Sequence, residues 1–143
     1  RPGQRLHFEL GRAVVGQCGS LITRCLYIKQ AKEKQFVIVD AGMTELMRPA
    51  LYGAKHHIQN LTVGQQTIND RRQTAVKYDI VGPICESSDT FARDLTLPET
   101  HRGDLLAIRS AGAYGETMAS QYNCRELPKA YTTEEIHFLT LNS

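Results

Sequence analysis

One stretch decides how the middle of this chain folds: Tyr78-Asp79-Ile80-Val81-Gly82-Pro83-Ile84-Cys85-Glu86-Ser87. An apolar run typical of a strand, Tyr78 to Val81, ends at a Gly-Pro pair, because proline fixes its own φ and restricts the residue before it. A thiol and a carboxylate, Cys85 and Glu86, follow at the mouth of the next loop, where a rigid scaffold can present functional groups. Taken alone, the stretch also fits an ordinary strand end with a buried cysteine and a solvated glutamate.

Short apolar runs of the same kind recur on both sides of this stretch. Residues 12–29 read as one long strand or two short ones, interrupted by Gly16 and Gly19. Residues 36–40 are β-branched and aromatic, and they are predicted to pair with the first run as a hairpin. Further strands are predicted at residues 56–61, 74–81, 103–109 and 136–139.

Loops and short helical turns are predicted between these strands. Residues 62–73 and 89–101 are polar and are predicted to be connections. A helical turn is predicted within residues 44–52, with Thr44 as its candidate N-cap, and one or two turns are predicted within residues 116–122. Short strands at irregular spacing, with little helix and no βαβ rhythm, favour an all-β barrel or sandwich.

The length and composition of the chain are those of one ordinary globular domain. Its 143 residues fit a single domain, and its net charge of +2 is too small to indicate a nucleic acid or an anionic membrane as a partner. No apolar run approaches the roughly 20 residues of a membrane-spanning helix. The four cysteines lack metal-type spacing and indicate reduced thiols of a cytoplasmic protein, so no metal site is predicted.

The segment Arg48-Pro49-Ala50-Leu51-Tyr52 carries a guanidinium and a phenol four residues apart. A guanidinium binds a carboxylate through two parallel hydrogen bonds, and a tyrosine hydroxyl can add a third. If the segment forms one helical turn, Arg48 and Tyr52 share a face. A solvated arginine, beside a tyrosine that covers the barrel, is the alternative.

Two further segments combine small residues with groups that bind ligands. Tyr114 lies within Ala111-Gly112-Ala113-Tyr114-Gly115, whose small side chains either let a ligand approach the backbone or form a tight turn that packs the ring. Glu9-Leu10-Gly11-Arg12 supplies a carboxylate, an accessible backbone and a guanidinium within four residues. That set suits a ligand with both a basic ring nitrogen and a phosphate.

In their order and spacing these motifs, together with Asp40-Ala41-Gly42-Met43, resemble the C-terminal third of the diaminopimelate decarboxylase family. Members of that family pair an alanine-racemase-like TIM barrel with a C-terminal β-barrel. The resemblance implies that residues 13–143 are all-β: a Greek-key β-barrel of the alanine racemase/group IV decarboxylase type, with one or two short helices. Residues 1–12 are then expected to be a remnant of the junction with an N-terminal TIM barrel that this sequence does not contain.

The resemblance also implies an activity for the full-length protein. Members of the family use pyridoxal 5'-phosphate to remove CO2 from meso-2,6-diaminopimelate, which gives L-lysine and completes lysine biosynthesis. The implied assembly is a cytoplasmic homodimer in which two subunits build each active site.

Roles at the cofactor follow from the resemblance, residue by residue. Glu9 is expected to pair with the pyridine nitrogen and keep it protonated. Gly11 is expected to offer its backbone to the cofactor phosphate, and Arg12 to contact the phosphate or a substrate carboxylate. Tyr114 is expected to lie against the cofactor and to contribute to the substrate site.

Roles at the substrate are implied in the same way. Arg48 and Tyr52 are expected to hold the distal end of the substrate. Cys85 and Glu86 are expected to cross a dimer interface into the partner subunit's site. There Cys85 is the catalytic candidate, as a proton donor or gate, and Glu86 receives the distal ammonium of the substrate.

This sequence departs from the family pattern in two places. Leu10 stands where the pattern has proline, which predicts a looser turn with the same role. None of the six lysines matches the family's Schiff-base lysine, so the isolated chain is expected to be inactive. Two alternatives stay open: an ornithine, arginine or lysine decarboxylase of the same fold, and a free-standing, non-catalytic β-barrel.

Overall fold

A computed structural model describes residues 2–66 and 74–136 of the chain. Six strands run through these residues: β1 (Ser20–Gln30), β2 (Gln35–Val39), β3 (Ile58–Asn60), β4 (Ala75–Val81), β5 (Thr90–Pro98) and β6 (Leu105–Arg109). Three short α-helices accompany them, α1 (Arg12–Val15), α2 (Arg48–Tyr52) and α3 (Leu61–Gln66), and residues 133–136 are also helical. Two 3₁₀ turns follow β6, at Glu116–Met118 and Tyr122–Cys124.

The six strands form one sheet in the order β3-β6-β1-β2-β4-β5. Neighbouring strands are antiparallel except β2 and β4, which run parallel. The edge strands β3 and β5 also contact each other, so the sheet is nearly closed into a barrel. The predicted hairpin is the β1–β2 pair, in which Cys25 lies opposite Val39. An all-β barrel with a few short helices, as predicted, is therefore confirmed.

The core lies inside this barrel. Alternate residues of β2 point inward, and both Val37 and Val39 are fully buried, because successive side chains of a strand face opposite sides. Strand β6 lies between β3 and β1, and Leu106 and Ile108 in it are also fully buried. Each such side chain contributes roughly 1.5–3 kcal/mol of burial free energy. Within residues 2–66 and 74–136, no helix has the length and apolar character needed to cross a membrane.

Two predicted loops contain regular structure instead. Residues 90–98 form strand β5, in which Phe91 and Leu97 face the core while Arg93 is exposed. The polar composition was misleading because one side of this edge strand faces solvent. Residues 61–66 form helix α3, which starts where the side-chain oxygen of Asn60 accepts the backbone N–H of Val63, as an N-cap residue does.

Three other local predictions were wrong or lie partly outside the described residues. Residues 12–15 form helix α1 rather than the start of a strand, because the chain turns at Gly16 and enters β1 only at Ser20. Thr44 does not cap a helix: helix α2 follows Met47, and the buried Thr44 hydroxyl donates to Glu45 instead. The strand predicted at 136–139 is not formed at residue 136, which is helical, and its other residues lie outside the described part of the chain.

Candidate functional site

Helix α2 places Arg48 and Tyr52 on one face, as predicted from their spacing. Pro49 lies in its first turn, and Gly53 ends the helix in a left-handed conformation, with φ of 63°, that glycine adopts readily. The guanidinium carbon of Arg48 lies 5.3 Å from the ring centroid of Tyr52. It also lies 5.5 Å from the ring centroid of Tyr114, which comes from the loop after β6. The fold therefore brings together three of the predicted substrate residues.

We call Arg48, Tyr52 and Tyr114 the arginine–tyrosine cluster. A cation over aromatic rings at an exposed position gains about 0.5–1 kcal/mol, which favours one placement of the guanidinium. Among the described residues, no carboxylate forms an ion pair with Arg48. Both tyrosine side chains are exposed. The guanidinium therefore keeps its N–H donors for an anionic ligand, and two phenols lie beside it.

The loop that carries Tyr114 is held by contacts within the chain. A Cβ atom on Gly112 would lie 2.2 Å from the carbonyl oxygen of Val15, and one on Gly19 would lie 2.6 Å from the Cα atom of Gly112. The N–H of Gly112 donates to the carbonyl oxygen of Gly16 at 3.1 Å. The small residue at 112 thus allows two backbone segments to touch, so it is not an opening for a ligand. Tyr114 itself has φ of 60°, a rare value for a residue with a side chain.

A buried aspartate holds the loop between β4 and β5. The carboxylate of Asp89 accepts the backbone N–H of Ile84 at 2.7 Å and that of Met43 at 2.7 Å. Burial raises the pKa of Asp89, although the N–H donors of Ile84 and Met43 act to lower it. A Cβ atom on Gly82 would lie 2.3 Å from a carboxyl oxygen of Asp89, so glycine is needed there. The segment just before Cys85 is therefore fixed to residues 40–43, which follow β2.

Sequence reasoning missed Asp89 because it placed residues 89–101 in a polar connection. The available signal was an aspartate that closes a loop opened by Gly82-Pro83, since aspartate commonly accepts backbone N–H groups in turns. The segment Asp40-Ala41-Gly42-Met43 has a structural part in the same contact. A Cβ atom on Gly42 would lie 2.9 Å from the side chain of Ile84, which only glycine avoids.

Cys85 and Glu86 are exposed at the tip of this loop. The hydroxyl of Tyr122 donates to Oε1 of Glu86 at 2.5 Å. The hydrogen bond from Tyr122 and the negative charge of Glu86 raise the pKa of that tyrosine. Tyr122 was not among the predicted site residues, because its partner lies 36 residues away in the sequence.

The segment that carries Tyr122 is anchored by an arginine. Nε of Arg125 lies 3.0 Å from a carboxyl oxygen of Glu45, and its Nη2 donates to the carbonyl oxygen of Asp40 at 2.6 Å. Glu45 is buried, and it also accepts the N–H of Gly42 at 2.6 Å. Residues 40–45, which follow β2, therefore support both the Cys85–Glu86 loop and the Tyr122 segment.

Glu9, Gly11 and Arg12 are exposed at the start of the described chain. No described contact joins them to the arginine–tyrosine cluster. The chemistry of the set fits pyridoxal phosphate: a carboxylate suits a protonated pyridine nitrogen, and a guanidinium suits a phosphate. Space around Gly11 is open, because a Cβ atom added there would have only its chain neighbours within 4 Å. These residues are therefore chemically suited to the cofactor and accessible to it.

The chain's six lysines belong neither to the arginine–tyrosine cluster nor to the set of Glu9, Gly11 and Arg12. All of them are exposed: Lys29, Lys32, Lys34, Lys55, Lys77 and Lys129. The ammonium of Lys34 is paired with the carboxylate of Asp79 in β4 at 3.0 Å. The residues brought together here are thus suited to binding and orienting a ligand.

Comparisons with known proteins identify the family of this chain. The sequence model of a family described as "Pyridoxal-dependent decarboxylase, C-terminal sheet domain" matches residues 13–112. Diaminopimelate decarboxylase of Bacteroides thetaiotaomicron is 60% identical over 95% of this chain and 33% of the relative. That of Helicobacter pylori strain J99 is 53% identical over 82% of this chain and 27% of the relative.

Solved structures show the same fold. A crystal structure of diaminopimelate decarboxylase from Helicobacter pylori complexed with L-lysine is 50% identical, with a TM-score of 0.70. The match covers 80% of this chain and 26% of that one. The chain thus spans a third or less of the length of these relatives. It belongs to the family of pyridoxal-dependent decarboxylases, as their C-terminal sheet domain.

Proposed function

We propose that the protein to which this domain belongs is a diaminopimelate decarboxylase, which removes CO2 from meso-2,6-diaminopimelate and releases L-lysine. The observation that carries the proposal is the arginine–tyrosine cluster, in which Arg48 has aromatic neighbours and no described carboxylate partner. Relatives with high identity over nearly the whole chain bear the same name.

The distal end of this substrate explains why both the Arg48 guanidinium and the Glu86 carboxylate are needed. Diaminopimelate carries a carboxylate and an ammonium on its distal carbon. Arg48 binds the carboxylate through paired N–H donors, with the hydroxyl of Tyr52 as a further donor. Glu86 accepts hydrogen bonds from the ammonium, because an ionised carboxylate has only acceptor atoms and its negative charge attracts a cation. A substrate without a distal carboxylate leaves Arg48 without a partner.

The cofactor supplies an electron sink for the bond between the α-carbon and the departing carboxylate. Glu9 holds the pyridine nitrogen, and Gly11 and Arg12 contact the phosphate. Arg12 would contact the phosphate or a substrate carboxylate, and Tyr114 would lie against the ring and contribute to the substrate site. The support for these assignments is the exposure and the chemistry of the residues.

Two subunits contribute to each site in this proposal. Cys85 and Glu86 are exposed at a loop tip, and they reach into the partner subunit's site in a homodimer. There Cys85 donates the proton that replaces the departing carboxylate, or gates the site. The protein works in the cytoplasm, which agrees with its four free cysteines.

The test is to incubate the full-length protein with pyridoxal phosphate and meso-diaminopimelate, and to measure CO2 and L-lysine. Equal amounts of both products are expected. The 143-residue chain alone, treated in the same way, is expected to release no CO2 and to leave the cofactor's absorbance unchanged. Turnover by the isolated chain, or no turnover by the full-length protein, would overturn the proposal.

A further inference from the structure

Tyr122 reaches the Glu86 carboxylate from a separate segment of the chain. Glu86 belongs to the loop between β4 and β5, whereas Tyr122 begins a 3₁₀ turn beyond β6. Their side chains meet at 2.5 Å, a short distance that is typical of a hydroxyl donating to an ionised carboxylate. The contact therefore fixes one Glu86 oxygen from outside its own loop.

The backbone of the segment that carries Tyr122 is held in place. Asn123 and Cys124 both have left-handed backbone angles, with φ of 60° and 58°. Such values are uncommon for residues with side chains and persist where surrounding contacts impose them. Arg125 supplies those contacts through Glu45 and the carbonyl oxygen of Asp40. The position of the Tyr122 phenol is thus set by an anchored backbone segment.

Glu86 needs such support more than a buried residue does. It is exposed, and no ion pair holds it within residues 2–66 and 74–136. A free glutamate side chain samples many rotamers, and ordering it on binding costs affinity. One hydrogen bond from Tyr122 uses one of its acceptor sites and leaves the others for a ligand.

We propose that Tyr122 is a positioning residue that orients the Glu86 carboxylate toward the distal ammonium of the substrate. The inference rests on the proposed function and adds to it a residue that determines how tightly the ammonium is bound. Tyr122 touches neither the substrate nor the cofactor in this account. Its effect passes entirely through Glu86.

The first experiment compares steady-state kinetics of the full-length protein and its Tyr122→Phe variant on meso-diaminopimelate. The ring is kept and only the hydroxyl is lost. KM is expected to rise about fivefold to tenfold, somewhat less than the roughly tenfold or more that a hydrogen bond to a charged group contributes, because solvent competes for this exposed contact. The kcat value is expected to stay within about twofold, since orientation for binding is the step affected. Tyr27→Phe, at an exposed tyrosine of β1, is the matched control and keeps the wild-type KM.

The second experiment is a double-mutant cycle with Glu86→Ala, which removes every acceptor from the side chain. If Tyr122 acts only through Glu86, adding Tyr122→Phe to Glu86→Ala changes KM no further. An ultraviolet titration of tyrosinate gives a readout independent of turnover: Glu86→Ala lowers the pKa of Tyr122 toward its usual value, and Tyr122→Phe removes that transition.

Each result has one meaning. An unchanged KM in Tyr122→Phe, or additive effects in the cycle, overturns the inference and leaves the proposed function standing. No wild-type activity on meso-diaminopimelate overturns the proposed function and this inference with it. A raised KM with a non-additive cycle supports both.

Discussion

The carboxylate of Asp89 accepts the backbone N–H of Ile84 at 2.7 Å, one residue before the exposed Cys85. A buried acid thus fixes the base of a loop whose tip carries the two side chains proposed to act in a partner subunit's site. The loop can present Cys85 and Glu86 to solvent because the carboxylate that holds its base is buried.

Replacing Asp89 by alanine is expected to destabilise the fold. The N–H groups of Ile84 and Met43 would lose their acceptor, and each buried unpaired N–H costs about 1–3 kcal/mol. The free energy of unfolding, measured by urea titration, should fall by about 2 kcal/mol or more. Glu99→Ala, at an exposed carboxylate, is the control and should change it by less than about 0.5 kcal/mol. Equal effects of the two variants would show that Asp89 does not hold the loop.

Replacing Gly112 by alanine is expected to separate the Tyr114 loop from residues 15–19. The added Cβ atom would lie 2.2 Å from the carbonyl oxygen of Val15, so the backbone must move. A strained insertion of this kind costs about 1–3 kcal/mol. Gly11→Ala adds a Cβ atom in open space and should leave the unfolding free energy unchanged. Thermal melting compares the two variants directly, and a neutral Gly112→Ala would contradict the close backbone contact.

Asp79 is expected to make the fold sensitive to acid. Burial acts to raise its pKa, but the N–H of Asp94, the ammonium of Lys34 and the charge of Arg93 together lower it. The stabilisation is present above the unfolded-state pKa of about 3.9 and is lost as the pH falls through the lower folded-state pKa.

In Asp79→Asn the free energy of unfolding should therefore fall less steeply between about pH 5 and about pH 2 than in the wild type. The measurement is urea unfolding at several pH values in that interval. Glu99→Gln is the control, because Glu99 is exposed and makes only a 3.9 Å approach to His101. A wild-type slope in Asp79→Asn would mean that another carboxylate is responsible.

Arg48→Lys in the full-length protein is expected to weaken diaminopimelate binding selectively. A lysine ammonium is a point charge and cannot form the paired hydrogen bonds of a guanidinium. KM for meso-diaminopimelate should rise about tenfold or more, as expected when a bidentate contact to a charged group is lost. The inhibition constant of L-lysine, which lacks the distal carboxylate, should change by less than about threefold. A parallel rise in both constants would show that Arg48 does not bind the distal carboxylate.

Local patterns in the sequence were enough to predict most of the barrel and the shared helical face of two candidate site residues. Strand β4 ends where Gly82-Pro83 requires it to end. The shared face of Arg48 and Tyr52 follows from their spacing in one helical turn. Such features depend on neighbours within a few residues, which the sequence displays directly.

Long-range partners were beyond the reach of those patterns. Asp89 meets Met43 across 46 positions, and Arg125 meets Glu45 across 80. Nothing near either residue indicates its partner, because the contact exists only once the barrel has formed. Strand β5 was missed for a related reason: its outward side chains are polar, and only the finished sheet shows which of its residues face inward.

We propose that this domain shapes a site for a substrate with charged groups of both signs at its distal end. The most direct measurement is the ratio of kcat/KM for decarboxylation of meso-diaminopimelate to that for L-lysine by the full-length protein. We expect a ratio of at least about a thousand, because a site built to bond a polar group strongly rejects an analogue that lacks it. A ratio near one, or a preference for lysine or ornithine, would contradict the claim.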